Sequence, residues 1–151
     1  MTTTVTFRAQ EEADASFLRR LFAAGLESSL GLNAWPERER ELMLGRQYDA
    51  RERDWVERYP SGRLEIIEFD GAPAGRIRLT RPEPDGSRRV VDLAIAPEYR
   101  RRGVATEALT CCEGALTLHV ARTNLPALRL YDRLGFVVQD GDELNLLLRR
   151  P

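Results

Sequence analysis

Two hydrophobic periods share this chain, and they change over at the Pro60-Ser61-Gly62 break. Before it the pattern is mostly helical. Thr4 to Arg8 predicts a short opening strand. From Glu11 to Glu27, Phe17, Leu18, Leu21, Phe22 and Leu26 recur near helical spacing, the mark of an amphipathic helix. Ser28 to Trp35 is rich in turn formers and predicts a loop. Pro36 suits the first position of a second, charged helix reaching Tyr59, with Leu42, Met43, Tyr48, Trp55 and Val56 as its candidate buried positions. Past the break the residues alternate as in strands. Arg63 to Phe69 and Ala74 to Thr80 flank Asp70-Gly71, a hairpin signal. The turn RPEPDGS leads to a strand over Arg88 to Ala96. Val104 to Glu113 predicts a short helix with Ala105, Ala108, Leu109 and Cys112 facing a sheet. Leu116 to Val120 is the next strand, parallel to the preceding one through a right-handed crossover. Asn124 can cap a last helix that has Leu125 and Pro126 in its first turn. Phe136 to Val138 and Glu143 to Leu148 then form a hairpin around Asp140-Gly141. The order predicts an α/β domain with a mixed sheet and a strand-rich middle.

Composition narrows the class. With 151 residues, one domain spanning 1–151 is expected, large enough for a core without metal or disulfide staples. A net charge of −1 gives no global field for nucleic acid or an anionic membrane, and neither is expected as a partner. Cys111 and Cys112 are the only cysteines. Adjacent cysteines rarely bridge, which points to a reducing, intracellular setting. No apolar run is long enough to span a membrane, and MTTTVTFRAQ lacks the charge and apolar core of a signal peptide. A cytoplasmic protein is expected.

The chemistry concentrates between Val90 and Thr106, VVDLAIAPEYRRRGVAT. An apolar strand ends at Ala96-Pro97, three arginines follow, and Gly103-Val104-Ala105 opens a helix. Backbone N–H groups of a tight turn, continued by a helix N-terminus, attract an anion. Small residues at 103 and 105 let a phosphate approach the backbone, and arginines add forked donors. The segment therefore predicts a phosphorylated ligand at the end of a central strand; its bland alternative is a solvated basic turn. A P-loop is excluded because no Gly-Lys-Ser/Thr follows, and the dinucleotide fingerprint is absent, which disfavours an ATP- or NAD-binding domain.

What is present is Arg100-x-x-Gly103-x-Ala105, followed downstream by Asn124-x-x-Ala127-x-x-x-Tyr131 and Leu134-Gly135-Phe136. Together these resemble the acyl-CoA signature of the GNAT superfamily of N-acetyltransferases, well over Arg63 to Arg149 and loosely over the N-terminal third. The resemblance implies a mixed, mostly antiparallel sheet of about six or seven strands with helices on both faces and a central parallel pair splayed for acetyl-CoA. It implies an acetyl group passed from acetyl-CoA, the co-substrate, to a primary amine by direct attack in a ternary complex, with no metal. The alternative is a catalytically weak acyl-CoA-binding or regulatory module on the same fold. The acceptor, a small molecule or a peptide amine, is left open, and a homodimer is possible. One departure stands out. Members of the family carry a longer helix after the Gly-x-Ala loop, whereas here eleven residues lead from Gly103 to Gly114, near the lower limit for a parallel crossover. Cover of the sheet near Glu113-Gly114 is the expected weak point.

The resemblance also assigns residues. Backbone groups from Arg101 to Thr106, thus Arg101, Arg102, Gly103, Val104, Ala105 and Thr106, would hold the CoA pyrophosphate, with Arg100 and its neighbours reaching the 3′-phosphate. Leu93, Ala94 and Ile95 would offer backbone to the pantetheine arm across a bulge, and one N–H would polarise the thioester carbonyl. Asn124 and Ala127 complete the downstream motif, Asn124 orienting pantetheine or a water besides capping its helix. Tyr131 is the candidate general acid for the departing thiolate, a phenol near ~10 against a thiol near ~8.5; otherwise it is an amphipathic core tyrosine. For the base, His119 titrates near neutrality, while Asp92 interrupts an apolar strand and as a buried carboxylate needs a partner, for which Arg76 or Arg78 is available. A water chain is the third option. An acyl-cysteine route through Cys111 or Cys112 is disfavoured by their mid-helix position. Leu32, Trp35 and Tyr48 are candidates for the acceptor wall or for the core.

Overall fold

A computed structural model describes residues 4–30 and 34–151, with backbone alone over 27–30. Its order is β1 (Val5–Ala9), α1 (Ala15–Leu30), α2 (Glu37–Arg58), β2 (Arg63–Phe69), β3 (Ala72–Leu79), β4 (Arg88–Ile95), α3 (Val104–Cys111), β5 (Leu116–Ala121), α4 (Leu125–Arg133), β6 (Val137–Gly141) and β7 (Asn145–Arg150). The strands form a seven-stranded sheet in the order β1-β2-β3-β4-β5-β7-β6. All neighbours are antiparallel except the central pair β4 and β5. No helix among the described residues is long and apolar enough to cross a membrane.

Local chemistry sets most of the boundaries. Asp70 and Gly71 both take positive φ, 50° and 85°, as a two-residue hairpin turn requires, so β3 begins at Ala72. Asn124 caps α4, its Oδ1 accepting from Ala127 N–H at 3.3 Å. At the start of α1, Asp14 is buried and takes two bonds of 2.8 Å from the Arg8 guanidinium. That bond holds its carboxyl below the usual range despite burial, and Glu68 joins the same arginine at 3.1 Å. β1, β2 and the entry to α1 are thereby tied together.

The sheet has two unlike faces. One carries the apolar core: Ile67, Ile77, Leu79, Val90, Leu116, Leu118 and Leu148 beneath Val104, Ala108 and Leu109 of α3 and Cys112 just after it, with Ala127, Leu128 and Tyr131 of α4 and the following Leu134 packed on it. The other carries α1, whose Leu18 and Leu21 are buried, and α2 above a polar centre. Arg76 and Arg78 of β3 are buried there. Glu52 of α2 pairs with both, and Asp92 of β4 pairs with Arg76 at 2.6 Å. No residue of α2 is buried. Leu42 and Val56, expected inside, are exposed, because this helix lies over ion pairs instead of an apolar surface.

Three other expectations change. α1 runs to Leu30, so Ser28 to Leu30, expected as loop, are helical; residues 31–33, Leu32 among them, lie outside the described residues. Val104 and not Ala105 is buried with Ala108 and Leu109. Asp140-Gly141 is part of β6 and not the hairpin turn. The turn is made by Asp142, whose Oδ1 accepts from Leu144 and Asn145 N–H. Gly141 answers to crowding: a Cβ there would come within 3.0 Å of Arg122, Leu146 and Asn145.

The short crossover is secured from a distance. Arg150 of β7 donates to the carbonyls of Leu109 and Cys112 at 2.7 Å each and of Gly114 at 3.1 Å. A cation with forked donors at a helix C-terminus satisfies orphan carbonyls and suits the helix dipole. Leu109 is fully buried and Cys112 nearly so, so the sheet is covered at the expected weak point. Replacing Arg150 by Met, which keeps the stem and removes the donors, is expected to lower stability by about 2–3 kcal/mol. Chemical denaturation measures this, and a loss below about 0.5 kcal/mol, the scatter of neutral surface changes, would show that α3 holds its end unaided.

Candidate active site

β4 departs from regular pairing on both sides. It meets β5 only through Arg88, Arg89 and Val90, opposite Leu116, Thr117 and Leu118, while β5 stays paired with β7 as far as Ala121. Against β3 it shifts register: Val90 faces Leu79 and Asp92 faces Arg78, which leaves Val91 extra. An extra residue bends its strand. From Val91 to Ile95, β4 therefore presents one backbone edge to no neighbouring strand. Leu93, Ala94 and Ile95 lie on this edge, Leu93 and Ile95 packing their side chains on the core.

Three hollows adjoin along the edge. The first, about 530 Å³, lies between the loop after β4 and α4; Arg100, Arg101, Gly103, Val104, Ala105 and Thr106 form one wall, Pro126, Ala127, Leu130 and Arg133 the other. Arg101 and Gly103 take positive φ, 63° and 76°. No side chain caps α3, so the N–H groups of its first turn have no intrahelical acceptor. This turn, with two arginines beside it, is a fit for a phosphate group. Arg102 does not line the hollow; its guanidinium lies 5.7 Å from the Tyr99 ring. Arg133 was not singled out in the sequence, although Pro126, Leu130 and Arg133 fall on one helical face.

The second hollow, about 950 Å³, lies beneath α1 and α2 and touches Leu93, Ala94 and Ile95; Arg51, Trp55, Arg76, Asp92 and Arg100 also line it. It shares Ile95, Arg100 and Pro126 with the first. Trp35 and Tyr48 do not line it; Tyr48 meets Phe22 edge to face, with ring centroids 5.5 Å apart. The third, about 330 Å³, occupies the gap between β4 and β5, where Asp92, Leu93, His119, Asn124 and Tyr131 meet.

Tyr131 is half-buried with its ring 5.4 Å from Phe136. Burial, reinforced by the negative charge of Asp92, raises its phenol pKa, so it keeps its proton at neutral pH. Asp92 is engaged by Arg76 Nε at 2.6 Å. His119 Nδ1 lies 2.6 Å from Arg89 Nη1. Guanidinium only donates, so Nδ1 accepts and the ring's proton sits on Nε2. Partial burial of the ring and the Arg89 charge lower its pKa; the ring is neutral at pH 7, but its basic nitrogen is occupied. Asn124 spends Oδ1 on its helix and still lines the second and third hollows. Cys111 is exposed, and Cys112 is buried with its thiol pushed up by burial. Neither lines a hollow described here.

A parted strand pair, an uncapped helix start beside it and a tyrosine in the gap thus lie at one end of the sheet. The model of the acetyltransferase (GNAT) family matches residues 29–136, and the chain belongs to that family. No curated protein is significantly similar. Among solved structures, PaiA N-acetyltransferase from Thermoplasma acidophilum, in complex with coenzyme A, aligns over 97% of this chain and 98% of its own, with a TM-score of 0.69 and 16% identity. An acetyltransferase from Thermus thermophilus aligns over 98% and 97%, at 0.66 and 23%. A spermidine N-acetyltransferase chimera from Vibrio cholerae and hSSAT aligns over 97% and 94%, at 0.64 and 21%. These likenesses show the GNAT fold.

His119 is the only histidine, so its titration is readable by NMR without ambiguity. It is expected to titrate below its ordinary value of about 6.5, and Arg89→Ala is expected to raise it. A value at or above 6.5 in the unsubstituted protein would show that Arg89 does not hold Nδ1.

Proposed function

We propose that the protein transfers an acetyl group from acetyl-CoA to a primary amine by direct attack in a ternary complex. The observation that carries this reading is the free edge of β4, which runs from the hollow at Gly103–Thr106 past Tyr131 to an adjoining hollow under α1 and α2. A donor and an acceptor can thus reach one strand from different sides, and proximity supplies much of the acceleration.

Acetyl-CoA supplies the activated acyl group. The α3 N-terminus with Arg100 and Arg101 would hold its phosphates, and Arg133 adds a third cation from the opposite wall. The free N–H groups between Val91 and Ile95 would bind the pantetheine arm as an added strand, one of them polarising the carbonyl. Tyr131, protonated in its half-buried place, would donate its proton to the thiolate as it leaves. With Asp92 paired and Nδ1 of His119 occupied, water is the favoured carrier of the proton from the amine. That neither Asp92 nor His119 is a free base among the described residues favours a second reading, an acyl-CoA-binding module with weak or no turnover.

Thermal denaturation with acetyl-CoA, CoA, ATP and NAD separates the ligand classes. A ligand at 100 times its Kd adds about 2.7 kcal/mol to the folded state, and stabilisation by acetyl-CoA and CoA alone is expected. Equal stabilisation by ATP or NAD would overturn the donor assignment. Tyr131→Phe is expected to lower kcat by about 100-fold or more, the usual worth of a general acid, while changing CoA affinity less than about 3-fold. Equal loss of both would remove Tyr131 from the acid role, and no turnover in either protein, with CoA bound, would establish the binding module.

A further inference from the structure

The second hollow carries charge that its own residues do not neutralise. Three arginines line it, Arg51, Arg76 and Arg100, against one acid, Asp92. Asp92 is already bonded to Arg76 at 2.6 Å, and Glu52 behind it is shared between Arg76 and Arg78. Arg100 also lines the cradle hollow, and its Nε is on the Ile95 carbonyl at 3.2 Å. Arg51 differs from the other two. Its guanidinium lies 4.9 Å from the Trp55 ring and 5.8 Å from the Phe22 ring, and no carboxylate among the described residues forms an ion pair with it.

A guanidinium held on aromatic faces keeps its in-plane N–H donors free, and that fork matches a carboxylate. The rings also fix it in advance, so less side-chain entropy is lost on binding. The surrounding positive charge has two consequences. It opposes entry of a polycation, and it disfavours the ammonium form of a bound amine, which helps supply the neutral nucleophile that a site without a free base needs.

Resting on the acetyltransferase reading above, we propose that the acceptor is an amine that also carries a carboxylate, and that Arg51 binds that carboxylate and sets the preference for it. The test uses the full chain with acetyl-CoA and matched acceptors: the α-amino acids and 6-aminohexanoate, each beside its own amide, with spermidine as the polycation. Acetyl transfer is measured, and so is calorimetric binding of each acceptor to CoA-saturated protein. In the pair with the highest turnover the carboxylate is expected to exceed its amide by about 10- to 100-fold in kcat/KM, the worth of a charged hydrogen-bonded contact, and spermidine to fall below both. Arg51→Ala is expected to bring that ratio close to one, mainly through KM, Arg51→Lys to restore part of it, and Arg51→Glu to invert the order toward spermidine. A merely structural role for Arg51 would lower all acceptors together and leave the ratio in place, which would overturn the proposal. Acetylation of amides or spermidine with no advantage for any carboxylate would overturn it while leaving the acetyltransferase reading intact. Carboxylate-selective, Arg51-dependent binding without turnover would uphold the Arg51–carboxylate contact but overturn the assignment of an acceptor together with the acetyltransferase reading. Failure of every carboxylate both to bind and to react would overturn it.

Discussion

The parting of β4 from β5 after Val90 and Leu118 is the constraint on which the rest of the molecule depends. A sheet interior normally leaves no backbone donor unpaired, and here a run of several residues in the middle of a seven-stranded sheet has no strand on one side. β4 carries its extra residue at Val91, where a strand bends, while β5 stays paired with β7 over its whole length. Because the two strands run parallel, the helices that follow them both start at the open end. The gap, the first turn of α3 and the first turn of α4 are therefore gathered at one place, outside the carboxyl ends of the strands, where α/β sheets bind ligands.

The two faces of the sheet solve different problems. The face under α3 and α4 is held by apolar burial and fixes the cradle rigidly. The face under α2 holds two buried arginines whose charge has to be balanced. Glu52 from the helix and Asp92 from the bulged strand do this together. Buried ion pairs contribute little net stability after desolvation, but they do fix geometry, since losing one partner strands the other. α2, without a buried residue of its own, is thus seated by charge, and its Trp55 stands within 5.5 Å of the Arg51, Arg76 and Arg78 guanidinium carbons. The wall of the second hollow inherits its chemistry from this seating.

What was legible in the sequence is what local chemistry fixes. β2 and the start of α3 fall where the pattern placed them, and the Asp70-Gly71 turn and the Asn124 cap are side-chain and backbone events within a few residues. Asp92 was readable as a polar interruption that needed Arg76 or Arg78, and Arg76 bonds it. The failures are non-local. Periodicity marks one face of α2 but cannot say that the surface beneath is ionic, so Leu42 and Val56 were misplaced. The Asp140-Gly141 dipeptide has the composition of a turn, yet that glycine answers to crowding by Arg122 and Asn145. Arg51, Arg133 and Arg150 had no distinguishing signal, because every one of the 23 basic residues is an arginine and only their neighbours in space tell them apart.

The grip of Arg150 on α3 also orders events in time. The carbonyls it binds precede it by 36 to 41 residues. The end of the helix that begins at the cradle stays unfinished until β7 has closed against β5 and carried the guanidinium into place. During synthesis from the N-terminus, strands β1 to β4 can assemble while α3 still frays at its far end. The site is thus completed only once the last strand is in place, and a protein caught before that closure would have most of its sheet and no fixed seat for a ligand.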